Sequence, residues 1–175
     1  MLEDRQLFSD YLIHCYAIIR ASEDLIDTAL DERMPARLRA YYEKHLTEEH
    51  DHAKWLLDDL KSLGLTPAPV DWQIAPIVGM QYYLIKHAGP EALLGYMAAL
   101  ETNPMPLDEV AKLESLHGKD AMRTVRFHAE HDRQHGPDVI KTIAELGDSI
   151  NHYLVIQTFK HTTQMLNLIS NETRV

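Results

Sequence analysis

The chain has 175 residues, of which 45% are hydrophobic and 25% are charged. This is the size of one globular domain that buries about 70% of its unfolded surface, so we expect a single domain over residues 1–175. Its 27 acidic and 17 basic residues give a formal net charge of −10. That balance argues against nucleic acid or an anionic membrane surface as a partner. A small molecule is the expected partner.

Cysteine usage and the N-terminus bear on the location of the protein. A single cysteine, Cys15, excludes an internal disulfide and fits a reducing compartment. The first residues lack a basic region followed by an apolar run, and no apolar stretch approaches the ~20 residues of a membrane span. We therefore expect a cytoplasmic protein that does not cross a membrane.

Apolar residues recur at spacings of three and four along the chain, without sustained alternation, and this predicts an all-α fold. About seven helical segments are expected, and the second of them is a continuous rod of about 40 Å. Asp120 and Asp148 are the expected caps of the last two. The segments are 6–30 with an interruption near Ser22, 35–63, 71–87, 90–102, 107–116, 120–146 with a bend at Gly136, and 148–169.

Three polar residues interrupt the apolar face of the helix predicted after Asp120. His128, Asp132 and His135 follow spacings of four and three, which place them on one face where packing alone favours Leu or Val. A buried carboxylate between two imidazoles costs several kcal/mol unless a further group compensates it. A metal cation is one such group, and a hydrogen-bonded network among the three side chains is the alternative.

Two further positions repeat this anomaly on other helices. Glu49 lies on the apolar stripe of segment 35–63, and His52 follows at a spacing that binds metals in helical bundles. Glu101 continues a line of apolar residues on the helix after Pro90. The choice of ligands on segment 35–63 stays open, because further metal-competent side chains lie nearby: Glu43, His45, Glu48 and His50.

Carboxylates and imidazoles in this number suit two ions such as iron or manganese, bridged by a carboxylate. A ferritin-type site would need a second Glu-x-x-His on the later helix, where this chain has Glu130 followed by Arg133. A single zinc ion on His128, His131 and His135 fits the spacing but leaves Asp132 and Glu49 unexplained. Protease, phosphate-loop and nucleophile-elbow motifs are absent from the sequence.

Three segments together resemble a known family. They are EEHDHAKWLLDDL at 48–60, LGYMAALE at 94–101 and FHAEHDRQH at 127–135. The chain resembles the haem-oxygenase-like di-metal oxidases and oxygenases, relatives of thiaminase II and of pyrroloquinoline quinone synthase. The resemblance implies a haem-oxygenase-like helical bundle and, as a family-level expectation, a homodimer. It implies these metal ligands: Glu49, His52, Glu101, His128, Asp132 and His135.

The resemblance implies an enzyme in which two Fe(II) ions, or manganese, use dioxygen as co-substrate to oxidise a small organic molecule. Two further hypotheses stay open: a metal-free small-molecule-binding or hydrolytic relative, and a helical interaction module with a vestigial metal site. Thiaminase-type hydrolysis would need Cys15 as nucleophile. Candidate contacts to the substrate are Tyr42, Tyr82, Tyr83 and Tyr96, with Arg20, Lys86 or Arg126 for a carboxylate.

Overall fold

Nine α-helices, two 3₁₀ turns and short loops form residues 2–172, the part of the chain that this computed structural model describes. No β-strand occurs in that range, which confirms the all-α prediction, and no helix in it is long and apolar enough to span a membrane. The helices are α1 (Arg5–Ile19), α2 (Ser22–Leu30), α3 (Ala36–Glu49), α4 (His52–Ser62), α5 (Ala75–His87), α6 (Ala92–Glu101), α7 (Leu107–His117), α8 (Arg123–Leu146) and α9 (His152–Glu172).

Two of the predicted segments each form two helices. The break between α1 and α2 falls just before Ser22, where an interruption is expected. The prediction of a continuous helix over 35–63 is wrong, because α3 ends at Glu49 and α4 begins at His52. His50 is extended, with φ −58° and ψ 133°, and Asp51 has a left-handed φ of 69°. These dihedrals cannot continue a right-handed helix, so the chain changes direction between Glu49 and His52.

The last two helices begin later than predicted. Asp120 and Asp148 are not their caps, because both lie in the 3₁₀ turns at Lys119–Ala121 and Gly147–Ser149. At the start of α9, the side chain of Asn151 accepts a hydrogen bond of 3.2 Å from the backbone N–H of Leu154. Asn151 is therefore the cap of α9, which begins at the next residue, His152, and asparagine is as effective a cap as aspartate.

Helix α6 is the most deeply buried helix of the bundle. Its residues from Ala92 to Ala98 are all buried, and it packs along α9. A methyl group on Gly95 would lie 2.2 Å from the carbonyl oxygen of Val155, so this close contact requires glycine. A second apolar cluster, which includes Phe8 of α1 and Leu56 of α4, joins α1, α4, α7 and α8.

The N-terminus of α8 is held by a side chain from another helix. The carboxylate of Asp59 on α4 is 1% exposed and accepts a hydrogen bond of 2.8 Å from the backbone N–H of Thr124. Backbone N–H groups in the first turn of a helix have no partner within the helix, and a carboxylate there also interacts with the helix dipole. This contact therefore fixes the start of α8 relative to α4. Helix α8 carries the face formed by His128, Asp132 and His135.

We predict that Asp59→Ala lowers the free energy of unfolding by about 1–3 kcal/mol, because it leaves the buried N–H of Thr124 without its acceptor. Asp58→Ala is the matched control. Asp58 is exposed and pairs with Lys61 on the same helix, so its loss should lower the free energy of unfolding much less than the loss of Asp59 does. Urea denaturation of both variants measures the difference, and equal losses would contradict the capping role.

Candidate metal centre

The end of α3 and the start of α4 present three side chains to one buried region. His45 and Glu49 lie one turn apart on the buried side of α3, and His52 is the first residue of α4. The nearest nitrogen–oxygen distances from Glu49 are 3.5 Å to His52 Nδ1 and 3.8 Å to His45 Nε2. The break at Asp51 thus leaves Glu49 between two imidazoles.

Helix α8 presents the polar face that its spacing predicts. Oδ1 of Asp132 lies 3.3 Å from Nδ1 of His128 and 3.4 Å from Nδ1 of His135. Asp132 is buried, and both rings lie on the same side of the helix as its carboxylate. A single carboxylate oxygen therefore lies between the two imidazoles of this helix.

Glu101, the last residue of α6, reaches the same region. Its Oε1 lies 3.2 Å from Nε2 of His45. The approach is close because Gly136 of α8 faces the end of α6: a methyl group on Gly136 would lie 2.8 Å from the carbonyl oxygen of Glu101. The absence of a side chain at Gly136 therefore allows Glu101 to lie beside His135.

These residues form two groups of three potential ligand atoms. Group one is Glu49, His52 and His128, and group two is His45, Glu101 and His135; within each group the atoms lie within 4.8 Å of one another. Asp132 contacts one histidine of each group. The structure thus brings together the six residues predicted from the sequence and adds His45, one of the further metal-competent side chains of segment 35–63.

Three metal-competent side chains of segment 35–63 lie outside the two groups. Glu43 is exposed, and His50 is exposed and faces Glu23 at 3.4 Å. Glu48 lies at the edge, 3.8 Å from Nδ1 of His45, and its carboxylate pairs with Lys44 at 2.9 Å.

The alternative of a zinc site on three histidines of α8, which their spacing allows, does not form in this structure. His131 lies on the outer face of α8, where its Nδ1 is 2.8 Å from the carbonyl oxygen of Phe127. Its ring is exposed, whereas the rings of His128 and His135 face Asp132. His131 therefore cannot share an ion with these two histidines.

Three of the imidazoles have raised pKa values. Burial alone would lower the pKa of His45, but the hydrogen bond and the charge of Glu101 outweigh it. Burial alone would likewise lower the pKa of His128, but the hydrogen bond and the charge of Asp132 outweigh this effect. The carboxylate of Asp132, with Oδ1 3.4 Å from Nδ1 of His135, makes the largest contribution to the raised pKa of His135. The carboxylates of the site therefore favour positive charge at these positions.

The pKa values of two carboxylates shift the other way. Burial would raise the pKa of Glu49, but His52, His128 and His45 together hold it below its usual range. Burial would also raise the pKa of Asp132, but the neighbouring imidazoles of His128 and His135 hold it below its usual range. Both carboxylates are thus ionised at neutral pH, the form that binds a cation.

Polar atoms without partners indicate that the site is built for a further group. Four buried side-chain atoms have no hydrogen-bond partner among the described residues: His52 Nδ1, Glu101 Oε2, His128 Nε2 and His135 Nδ1. A buried polar atom without a partner costs about 1–3 kcal/mol, and four in one place are unusual. Metal ions bind imidazole nitrogen and carboxylate oxygen, so the residues present fit such ions.

The sequence profile of a family described as iron-containing redox enzyme matches residues 8–167. The chain belongs to this family. The match confirms the resemblance carried by the segments of α4, α6 and α8, and the metal that family membership implies is iron. Sequence comparison with curated proteins finds no significant match.

Two solved structures share the fold of this family member. A domain of unknown function with a heme oxygenase-like fold from Shewanella denitrificans OS217 superposes with a TM-score of 0.69 at 16% identity, over 97% of this chain and 78% of that chain. A TenA homolog from Pseudomonas syringae pv. tomato str. DC3000 gives a TM-score of 0.71 at 12% identity, over 97% and 79%. These similarities confirm the haem-oxygenase-like fold.

We predict that Gly136→Ala lowers the free energy of unfolding by about 1–3 kcal/mol, because the added methyl group must push the backbone at Glu101 away from α8. Gly79→Ala on α5 is the matched control, since a methyl group there meets no atom within 4 Å. In that open helical position alanine stabilises the fold by about 0.5–1 kcal/mol. Opposite signs of the two changes in urea denaturation support the close contact, and equal effects would contradict it.

In the metal-free protein we expect His45, His128 and His135 to titrate above the ordinary histidine pKa of about 6.5. The stability that these raised pKa values contribute is full below about pH 6.5 and is lost as the pH rises through the folded-state values. Metal binding must displace the same protons, so metal affinity falls as the pH is lowered through them. NMR titration of the ring protons tests this, and values at or below 6.5 for all three would refute it.

Proposed function

We propose that this family member is a non-haem di-iron oxidoreductase that uses dioxygen to oxidise a small organic molecule. The observation that carries the proposal is the pair of three-residue groups joined by Asp132. Two ions held about 3.5–4 Å apart by a shared carboxylate are the usual form of a two-metal site. Manganese could replace one or both irons, because the same nitrogen and oxygen ligands bind it.

Each group of residues would hold one ion. Glu49, His52 and His128 are the proposed ligands of the first, and His45, Glu101 and His135 those of the second. The carboxylates of Glu49, Glu101 and Asp132 would balance most of the charge of two divalent ions. When bound, ferrous ions supply the electrons and the open coordination positions that reduction of dioxygen requires.

A cavity of about 190 Å³ beside the two groups is the proposed substrate site. His45, Glu49, Glu101, His128 and Asp132 line part of it. The remaining wall is mainly apolar and comes from α1, α2, α4, α6, α8 and the loop between α6 and α7. An apolar wall excludes water from the substrate, which limits side reactions of an oxidising site.

The hydrolytic hypothesis has weaker support. Cys15 also lines the cavity, but burial raises its pKa to about 11 despite an opposing hydrogen bond from Tyr11. A thiol with such a pKa is protonated at neutral pH, whereas a nucleophilic cysteine needs the thiolate. The hypothesis of a vestigial site predicts a chain that does not retain metal. Small-molecule binding, homodimer formation and a cytoplasmic location stay predictions.

The test is oxygen consumption by protein loaded with Fe(II) under anaerobic conditions and freed of unbound metal. We expect consumption in proportion to the bound iron. Asp132→Ala should lower the rate by at least about tenfold, since even residues that only support metal ligands contribute about 10- to 100-fold. Asp138→Ala is the matched control and should keep the native rate, because this half-buried carboxylate on the same helix lies outside the two groups and faces Lys44 at 3.6 Å.

Two results would contradict the proposed function. One is a folded native protein that consumes no more oxygen than the same buffer without protein. The other is an Asp132→Ala variant with the rate of Asp138→Ala, because the carboxylate shared by the two groups would then have no part in the reaction.

A further inference from the structure

The charge of the cavity wall limits what the cavity can bind. Three carboxylates of the metal centre line it, and no lysine or arginine does so among the residues that the structure describes. The two histidines of the wall, His45 and His128, already face Glu101 and Asp132. In the metal-free protein an anionic group of a ligand therefore has no free basic side chain to pair with, and burying it unpaired costs several kcal/mol.

The basic residues predicted as candidate contacts to a carboxylate lie elsewhere. Arg126 pairs with Glu114, and Lys86 pairs with Glu32 at 2.9 Å. The guanidinium of Arg20 lies 6.0 Å from the ring centre of Tyr16. Each of these cations has an acidic or aromatic partner outside the metal centre, and none of them lines the cavity.

Tyr96, a residue of the cavity wall, carries a neutral polar group without a partner, as does Thr124. This residue of α6 is 2% exposed and lines the cavity, and its hydroxyl makes no hydrogen bond to any described residue. Burial, together with the nearby Tyr82 and Glu49, raises the pKa of Tyr96, so the hydroxyl stays protonated. A buried hydroxyl without a partner costs free energy unless a ligand or water supplies one.

The three remaining tyrosines predicted as candidate substrate contacts differ from Tyr96 in this respect. The hydroxyl of Tyr42 donates a hydrogen bond of 2.8 Å to the carbonyl oxygen of Pro90. Tyr83 is 64% exposed. Neither Tyr42, Tyr82 nor Tyr83 lines the cavity, whereas Tyr96 does.

We propose that the metal-free cavity binds a small, uncharged and mainly apolar molecule, and that the Tyr96 hydroxyl binds the single polar group of that molecule. The apolar part would contact wall residues such as Ile18, Leu25 and Ile26. For scale, a cavity of about 150 Å³ holds benzene, so about 190 Å³ admits a somewhat larger molecule. This inference rests on the proposed function, because it takes this molecule to be the substrate of the metal centre. Binding of the molecule itself does not require metal.

The test compares 1-hexanol with hexanoate, two probes with the same chain length and different charge. Ligand-detected NMR titrations measure both with metal-free protein. We expect hexanol to bind and hexanoate to bind at least about tenfold more weakly, the equivalent of 1.4 kcal/mol. Ile26→Phe, which fills part of the cavity, should abolish hexanol binding.

Tyr96→Phe tests the role of the hydroxyl. Loss of one hydrogen bond should weaken hexanol binding by about three- to tenfold. Tyr41→Phe is the matched control, because the Tyr41 hydroxyl is also buried without a partner but Tyr41 does not line the cavity. It should leave hexanol binding unchanged, and circular dichroism checks the fold of each variant.

Three results would overturn the inference: no hexanol binding by folded native protein, hexanoate binding as tight as that of hexanol, or the same hexanol affinity in Tyr96→Phe as in native protein. The comparison of hexanol with hexanoate on native protein decides the matter even if Tyr96→Phe does not fold. A protein that takes up no metal but binds hexanol through Tyr96 would refute the proposed function and leave this inference standing.

Discussion

Asp132 is buried with one carboxylate oxygen between the imidazoles of His128 and His135, and the arrangement of the neighbouring helices follows from it. Such a carboxylate is unfavourable in a protein interior unless surrounding groups compensate its charge. The structure supplies two imidazoles from its own helix and directs α3, α4 and the end of α6 to the same place. Several buried polar atoms around it still lack hydrogen-bond partners, and these atoms are the ones that would bind cations in the proposed function.

Two local features of the backbone bring these helices together. The left-handed residue Asp51 turns the chain between Glu49 and His52, so both side chains face α8, although a straight helix would place them about 60° apart. Gly136 lets the end of α6 approach α8, which places Glu101 beside His45 and His135. Neither feature binds a ligand, but each sets the position of a residue that does so in the proposed function.

The sequence predicts much of this site because, at 3.6 residues per helical turn, the spacing of residues determines which side of the helix they face. The shared face of His128, Asp132 and His135 on α8 follows directly from their spacing. The break at Asp51 could not be predicted, since no glycine or proline marks it, and the ligand choice between His45 and its neighbours therefore stayed open. The cap of α8 by Asp59 joins residues far apart in the chain. Likewise, only the packed structure distinguishes Tyr96 from the candidate contacts Tyr42, Tyr82 and Tyr83.

In the proposed function each group of three residues holds one ion and Asp132 serves both. The number of irons per chain, measured by elemental analysis after anaerobic Fe(II) loading and desalting, tests this. We expect about two irons in native protein and in Asp138→Ala, about one in His52→Ala or His45→Ala, and less than one in Asp132→Ala. Folded native protein that retains no iron at any loading, or full retention by Asp132→Ala, would contradict it.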